Sequence, residues 1–580
     1  MNCFDAHINE TALAFFRENL NVLSDIDKAN SLLKEISGVN NFFNTESDTL
    51  ELQKKIQELF SLVEESNRRE YGDFQTNNEL ANQVTKYVHT KTKTIEFILE
   101  PTCGKGNFII AALTHFKTVI KLVGVEIYLP YVWETKFKLL KHFIENPSKT
   151  KPDIDIFHAN AFEFDYKQLA KDTKQLTTLI IGNPPWVTNA ELGSISSNNL
   201  PRKSNFKKHS GLDAITGKGN FDIGEYISLI MLNCFNEHNG IFAFLIKTSV
   251  AKNIISDQAH NNYRIANTEK LNIDAKKEFN VSVHASLFLT NLNQVPDLRC
   301  KELDFYTHDE ITTFGWYKDK FVYSIEDYDK ASVVDGTSTF IWRSGVKHDC
   351  SKIMEIERAN GHYLNGLKQK LNLENDLLFG LLKSSDLKQK QTNKYRKLTL
   401  ITQKKIGQET DYIKREFPLT YNYLSQHKEY FDNRKSSIYT NKPDFSIFGI
   451  GDYSFAPYKV AISGMYKSTH FTLVTTDNGK PIMLDDTCYF IGFDNLKNAQ
   501  IAHYLLNSEL VQQFLKSIIF SDSKRSITKD TLMRIDIDVV YNRTDFRLLL
   551  DAIKNLTLDD WNNFGKLLID RKVKGQMTLF

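Results

Sequence analysis

Between residues 95 and 290 the chain alternates short apolar runs with stretches of helical spacing, and each run closes in a polar or glycine-containing turn. Ile95-Glu96-Phe97-Ile98-Leu99-Glu100 predicts a buried strand, Pro101–Phe108 a glycine turn, and Ile109 to about Phe116 an apolar helix. Leu122–Ile127, Asp153 to about Ala159, and Leu179–Gly182 predict three more strands of the same kind. Strands alternating with helices in this way form an open, doubly wound parallel sheet. Gly240–Ile246 and Ala285–Leu289 predict two further strands, with an apolar helix over Ile227–Phe235 before them. Upstream, Leu52, Ile56, Leu59, Phe60 and Val63 recur at helical spacing, so residues 1–70 are expected to be a helical segment packed on the next domain. Leu80, Val84 and Val88 start another helix just after Gly72–Thr76.

Around residues 295–305 the pattern changes, and glycine-punctuated strand–turn–helix units stop. Three parts are therefore expected: 1–70, 71–300 and 301–580, an α/β class in which a Rossmann-like sheet is joined to a separate C-terminal α+β domain. A length of 580 residues requires more than one core in any case. At 41% hydrophobic and 25% charged residues, the composition is that of a soluble globular protein. No apolar run is long enough to span a membrane, and Met1–Asp5 lacks the start of a signal peptide, so the cytoplasm is the expected compartment. Six scattered cysteines form no CxxC or Cys/His cluster, and no metal site is expected. The net charge of +2 means that any nucleic-acid binding must come from local basic patches.

The fourth strand ends in Gly182-Asn183-Pro184-Pro185-Trp186. Proline lacks an N–H and fixes φ, so the sheet cannot continue through this segment. A stiff loop at a strand's carboxyl end lies where open α/β sheets bind ligands. The Asn183 side-chain oxygen and the Pro184 carbonyl are two acceptors beside the flat Trp186 ring, suited to a planar group bearing an –NH₂. A rigid turn with a buried tryptophan would explain Pro-Pro alone; the neighbouring motifs favour a site. Gly104 and Gly106 would let the first turn pass close to a ligand, with Cys103 and Glu100 beside it. Glu126 ends the second strand where ribose hydroxyls are commonly bound. Asn160 and Phe162 follow the third strand and could hold an adenine. Thr76, at a helix start, could cap that helix or bind a carboxylate. Phe279 is expected near the site or in the core. Thr188–Lys218, with Arg202 and Lys203, reads as a long basic loop that could close over a substrate. In the last part, a basic run from Lys383 to Lys405 is opposed locally only by Asp386. With Trp342-Arg343, Phe448–Lys467 and Lys524-Arg525, it fits phosphate contacts better than a merely solvated face.

On these residues the chain resembles the γ-group DNA adenine-N6 methyltransferases of type II restriction–modification systems. The resemblance covers about residues 70–290, with Asn183-Pro184-Pro185-Trp186 its most specific part, and extends more loosely to the specificity domain. It implies S-adenosylmethionine as cofactor and double-stranded DNA as substrate. It implies that Thr76 binds the methionine carboxylate, that Glu100, Cys103, Gly104 and Gly106 line the methionine, that Glu126 holds the ribose, and that Asn160 and Phe162 contact the adenine. The family usually has aspartate at the position of Asn160 and often proline at that of Asn77. Asn183 through Trp186 would be catalytic, with Trp186 and Phe279 stacking on the two faces of a flipped base. Arg202, Lys203, Arg343, Lys404, Lys405, Lys524 and Arg525 would contact DNA. A monomer is expected, with any cognate endonuclease a separate protein. The same loop would also serve cytosine-N4 or protein-glutamine methylation; the basic C-terminal part favours DNA over protein. A bifunctional nuclease–methylase is disfavoured, because 70 residues are too few for a nuclease domain and no PD…ExK set is evident in the C-terminal half.

Overall fold

The computed structural model describes residues 6–58, 75–148, 150–187, 222–359, 361–465, 468–520 and 525–577. The expectations for Arg202, Lys203, Lys524 and the whole basic loop Thr188–Lys218 lie outside these residues. The chain divides into two compact units, residues 1–321 and 322–580.

The first unit is built on a ten-stranded sheet. Its strands are β1 (Phe97–Glu100), β2 (Lys121–Glu126), β3 (Asp153–His158), β4 (Thr178–Gly182), β5 (Gly240–Lys247), β6 (Ile265–Ile273), β7 (Ala285–Leu292), β8 (Arg299–Asp304), β9 (Glu310–Tyr317) and β10 (Lys320–Val322). The described helices are α1 (Glu10–Glu18), α2 (Ile26–Ser37), α3 (Glu46–Glu58), α4 (Asn78–Lys91), α5 (Asn107–His115), α6 (Leu129–Glu145), α7 (Tyr166–Asp172), α8 (Ile223–Phe235), α9 (Thr248–Asn261) and α10 (Ala275–Phe279). The strand order is β10-β9-β8-β6-β7-β5-β4-β1-β2-β3. Strands β1 to β5 pair in parallel, while β7 lies antiparallel between β5 and β6. From β1 the chain winds outward through β2 and β3; from β4 it winds the other way. The crevice at the carboxyl ends of β1 and β4 is thus the topological switch point, where such sheets bind ligands. Glu100 and Gly182 end those two strands.

The amino-terminal segment is part of this unit. Val39 bridges Ile154 in parallel, and the Asn40 N–H donates to the Ile154 carbonyl at 2.8 Å, which extends the sheet beyond β3. Phe16 meets Phe137, and Phe42 meets Trp133, at ring-centroid distances of 6.0 and 6.1 Å. The buried Lys136 ammonium donates to the carbonyls of Asn41 and Phe42 at 3.0 and 2.8 Å, and burial pushes it down to about 8.

The boundary expected at residue 300 falls instead after residue 321, because β8 and β9 complete the first unit's sheet. The hydrophobic pattern gives no strand between Ile246 and Phe279, yet β6 lies there. Its polar residues are satisfied across the sheet: Lys270 pairs with Glu302 at 2.8 Å, and the Thr268 and Thr290 hydroxyls lie 2.8 Å apart. A buried polar group with a partner avoids most of the desolvation cost.

The second unit carries a five-stranded and a six-stranded sheet. Gln391–Thr392 joins the former, while Leu378–Leu382 and Lys397–Leu400 on either side join the latter, so the two sheets share one stretch of chain. Helices Leu496–Leu506, Glu509–Ile518 and Leu558–Met577 follow. Among the described residues no helix is long and apolar enough to cross a membrane.

Candidate active site

Three segments distant in sequence meet at the switch point. The Asn77 side chain accepts from the Leu80 N–H at 2.8 Å and caps α4, which leaves the neighbouring Thr76 hydroxyl free of that duty. That hydroxyl instead accepts a hydrogen bond from Asn183 Nδ2 at 3.1 Å. The Thr76 carbonyl accepts from Asn107 Nδ2 at 2.7 Å, at the start of α5. The Lys105 N–H donates to Gln75 Oε1 at 3.3 Å. Residues 75–77 are thereby tied both to the glycine turn and to the loop after β4.

Gly104 and Gly106 both take left-handed backbone, at φ +51° and +71°. Only Gly104 fits the expectation of close approach from the site side, where an added Cβ would meet the Gln75 amide at 2.8 Å. At Gly106 a Cβ would strike Thr135 of α6 at 2.7 Å, so a side chain there is excluded by the packing of α6. Thr135 Oγ1 also donates to the Gly104 carbonyl at 3.0 Å. Cys103 is buried beneath the turn, and burial pushes its thiol well up, away from any nucleophilic form. Glu126 accepts from the N–H groups of Gly104 and Tyr128 at 2.8 and 2.7 Å, holding the turn across the end of β2.

Glu100 is buried, and its Oε2 has no hydrogen-bond partner among the described residues. Burial first, and then the neighbouring Glu126 charge, raise its carboxyl well above the usual range. A buried acceptor of this kind suits an N–H of a cationic ligand. Past β3, Asn160 Oδ1 accepts from the Phe162 N–H at 2.9 Å in a turn that orients Phe162, whose ring lies 5.7 Å from that of Tyr226.

The Asn183–Trp186 loop is anchored by its last residue. Trp186 is only 4% exposed, and its indole N–H donates to the Leu245 carbonyl of β5 at 3.2 Å. Phe279 packs edge-to-face against it at 4.8 Å and 71°. The expected sandwich is therefore closed: a base between two rings needs them roughly 7 Å apart, two van der Waals contacts. Aromatic pairs favour the observed edge-to-face geometry when nothing lies between them.

Sequence reasoning missed the other wall of the loop. The Ile223 N–H donates to the Val187 carbonyl at 3.0 Å, and a Cβ on Gly224 would lie 3.5 Å from both the Pro184 ring and the Pro185 carbonyl. Asp222, immediately before an apolar helix, is a capping signal that was available in the sequence.

In the second unit the basic run is partly neutralised. Glu355 takes Lys383 and Lys397 at 2.5 and 3.0 Å, and Arg396 pairs with Asp386 at 2.7 Å. Sequence counting found only Asp386 because Glu355 lies on another strand. Arg525 pairs with Asp486 at 3.0 Å, and the Arg343 guanidinium sits 4.9 Å over the Tyr453 ring. Trp342 is fully buried, a core residue and not a reading surface. Lys404 and Lys405 stand exposed at a turn closed by the Gln408 N–H on the Lys405 carbonyl at 3.2 Å.

A doubly wound sheet with an antiparallel β7, a glycine turn after β1, an acid at the end of β2 and an Asn-Pro-Pro-Trp loop after β4 defines a Rossmann-like S-adenosylmethionine-dependent methyltransferase. Residues 58–275 match the N-6 DNA methylase family model. The type II methyltransferase M.NspV of Nostoc sp. (strain ATCC 29411 / PCC 7524) is 39% identical over 482 residues, covering 82% of this chain and 98% of that protein. The chain belongs to the N-6 DNA methylase family and is an adenine-specific DNA methyltransferase. Among solved structures it is similar to the type IIL restriction–modification enzyme MmeI in complex with DNA, with TM-score 0.47, 13% identity, and coverage of 94% of this chain and 78% of that one. It is also similar to the type IIG restriction endonuclease BpuSI, with TM-score 0.34, 11% identity, and coverage of 98% and 75%.

Proposed function

We propose that this enzyme methylates adenine at one recognition sequence and so protects host DNA from a separate cognate endonuclease, acting as a cytoplasmic monomer. The observation that carries the catalytic reading is the meeting of Thr76, Glu100, the Gly104 turn and Asn183 at the switch point. Bound S-adenosylmethionine supplies an electrophilic methyl group. Glu100 and the Gly104 turn would hold its methionine part, Thr76 its carboxylate, Glu126 its ribose, and Asn160 and Phe162 its adenine.

The exocyclic nitrogen of adenine is a poor nucleophile, because its lone pair is delocalised into the ring. Asn183 Oδ1 and the Pro184 carbonyl, by accepting its two hydrogens, favour a tetrahedral nitrogen with a localised lone pair. The Thr76 hydroxyl holds the Asn183 amide so that its oxygen keeps one orientation. Catalysis is then positioning and preorganised dipoles. The base must leave the duplex to reach these acceptors, and Phe279 must part from Trp186 to admit it. Labelled methyl transfer to duplex DNA, followed by single-molecule sequencing, tests this reading; label on cytosine or on protein overturns it.

Glu100 gives the binding step a sign in pH. Its carboxyl is held protonated above the usual carboxylate range, and a ligand ammonium favours the ionised form. Cofactor binding should therefore release a proton and tighten as pH rises through that range. Calorimetry in buffers of different ionisation enthalpy measures the release. Glu100→Gln should abolish it and weaken binding by about 1.5–3 kcal/mol. An apparent enthalpy independent of buffer would show that Glu100 does not meet the cation.

The second unit is assigned to target recognition. Lys404 and Lys405 have no described ion-pair partner, unlike Lys383, Lys397 and Arg525. Changing both to alanine should weaken DNA binding and flatten its log–log salt dependence, by about one unit for each phosphate that is no longer neutralised. Cofactor affinity should stay unchanged. An unaltered salt slope would make this turn a solvated face.

A further inference from the structure

We propose that the Asp222–Lys247 ion pair is a positioning latch for the Asn183–Trp186 loop; this rests on the catalytic reading of that loop. Asp222 Oδ1 accepts from the Gly224 N–H at 2.9 Å and caps α8, while Oδ2 meets Lys247 Nζ at 2.8 Å. Lys247 is the last residue of β5, and the two side chains are 17% (lysine) and 11% (aspartate) exposed. Such a pair is worth more than a surface contact, and removing one partner strands the other's charge.

The loop lies between the two elements that this pair joins. On one side the α8 start holds the end of it through the Ile223 N–H on the Val187 carbonyl, and leaves room at Gly224 for no more than a Cβ beside the Pro184 ring and the Pro185 carbonyl. On the other side β5 holds it, through the Leu245 carbonyl accepting from the Trp186 indole. Lys247 is two residues beyond Leu245 on the same strand. The pair thus closes a ring running from β5 through Trp186 and Val187 to α8, then through Asp222 back to β5. Behind it, Asn253 Nδ2 of α9 donates to the buried Glu225 Oε2 at 3.2 Å, which fixes the first turn of α8 from the far side.

Neither side chain is assigned contact with the base or the cofactor. Their effect runs through the loop: with the latch open, the α8 start backs away and the Pro184 ring and Pro185 carbonyl lose their wall. A displacement near 1 Å at a reacting group costs about 10²-fold in rate. Asp222→Asn keeps the cap, since asparagine caps as well as aspartate, but removes the charge. Lys247→Met keeps the stem and removes the ammonium.

The test uses the full chain with S-adenosylmethionine and duplex DNA carrying the recognition sequence. Asp222→Asn and Lys247→Met should each lower the single-turnover rate about 10- to 100-fold, with cofactor affinity and KM for DNA within threefold of wild type. Lys247→Arg should restore the rate to within threefold. The double variant should lose no more than the worse single one, because the two share one interaction. Hydrogen exchange at the Ile223 amide should rise in both single variants, a readout independent of turnover. Wild-type single-turnover rates in both, or additive losses in the double variant, overturn the latch. If those variants turn over normally while Asn183→Ala is dead, the latch alone fails. If Asn183→Ala is fully active, the catalytic reading of the loop fails and takes the latch with it.

Discussion

Asn183→Ala should reduce methyl transfer by on the order of 10²-fold or more while leaving S-adenosylmethionine affinity within a few-fold. Its side-chain amide is tied into the site through Nδ2. Nδ2 donates to the Thr76 hydroxyl at 3.1 Å, which fixes the orientation of Oδ1, the atom proposed to accept from the target amino group. Removing the amide deletes that acceptor and leaves the Thr76 hydroxyl without its donor, but the glycine turn and Glu126 keep their own hydrogen bonds. The loss should therefore appear in the rate of the chemical step and not in cofactor binding. Single-turnover transfer at saturating cofactor, with calorimetry alongside, separates the two. Full turnover in this variant would remove Asn183 from the chemistry.

Trp186→Ala should be the most destabilising change in the loop, costing about 3–5 kcal/mol as a large-to-small substitution in a core. The ring is 4% exposed, lies edge-on to Phe279 at 4.8 Å, and donates to the Leu245 carbonyl. Trp186→Phe refills most of the volume but leaves that carbonyl without its donor, at about 1–3 kcal/mol. Denaturant titration should rank wild type above Trp186→Phe above Trp186→Ala. Equal midpoints for wild type and Trp186→Ala would mean that the ring does not anchor the loop.

The core of the catalytic fold was legible because its physics is local. Strands buried on both faces must be apolar runs, so β1, β2, β4 and β5 could be read directly from the chain. The tight turn after β1 needs positive φ, hence Gly104 and Gly106; and proline cannot continue a strand, so the chain must turn aside at Pro184. Charge was the least legible feature. Glu355 neutralises Lys383 and Lys397 from another strand, and no window of sequence displays that pairing.

By itself, the sequence determined the strand–helix alternation, the glycine turn, the acid at the end of each of the first two strands, and the stiffness of the Asn-Pro-Pro-Trp loop, since all of these follow from backbone limits and side-chain type within a few residues. Tertiary structure alone decided what those residues face. It paired polar β6 through Lys270 and Glu302, and it moved the unit boundary to residue 321. It gave Gly106 to Thr135 and closed Phe279 onto Trp186. It also joined Asp222 to Lys247 beside the loop. Each of these is a contact between segments far apart in the chain, set by which elements the sheet order makes neighbours, and periodicity along one segment carries no record of that order.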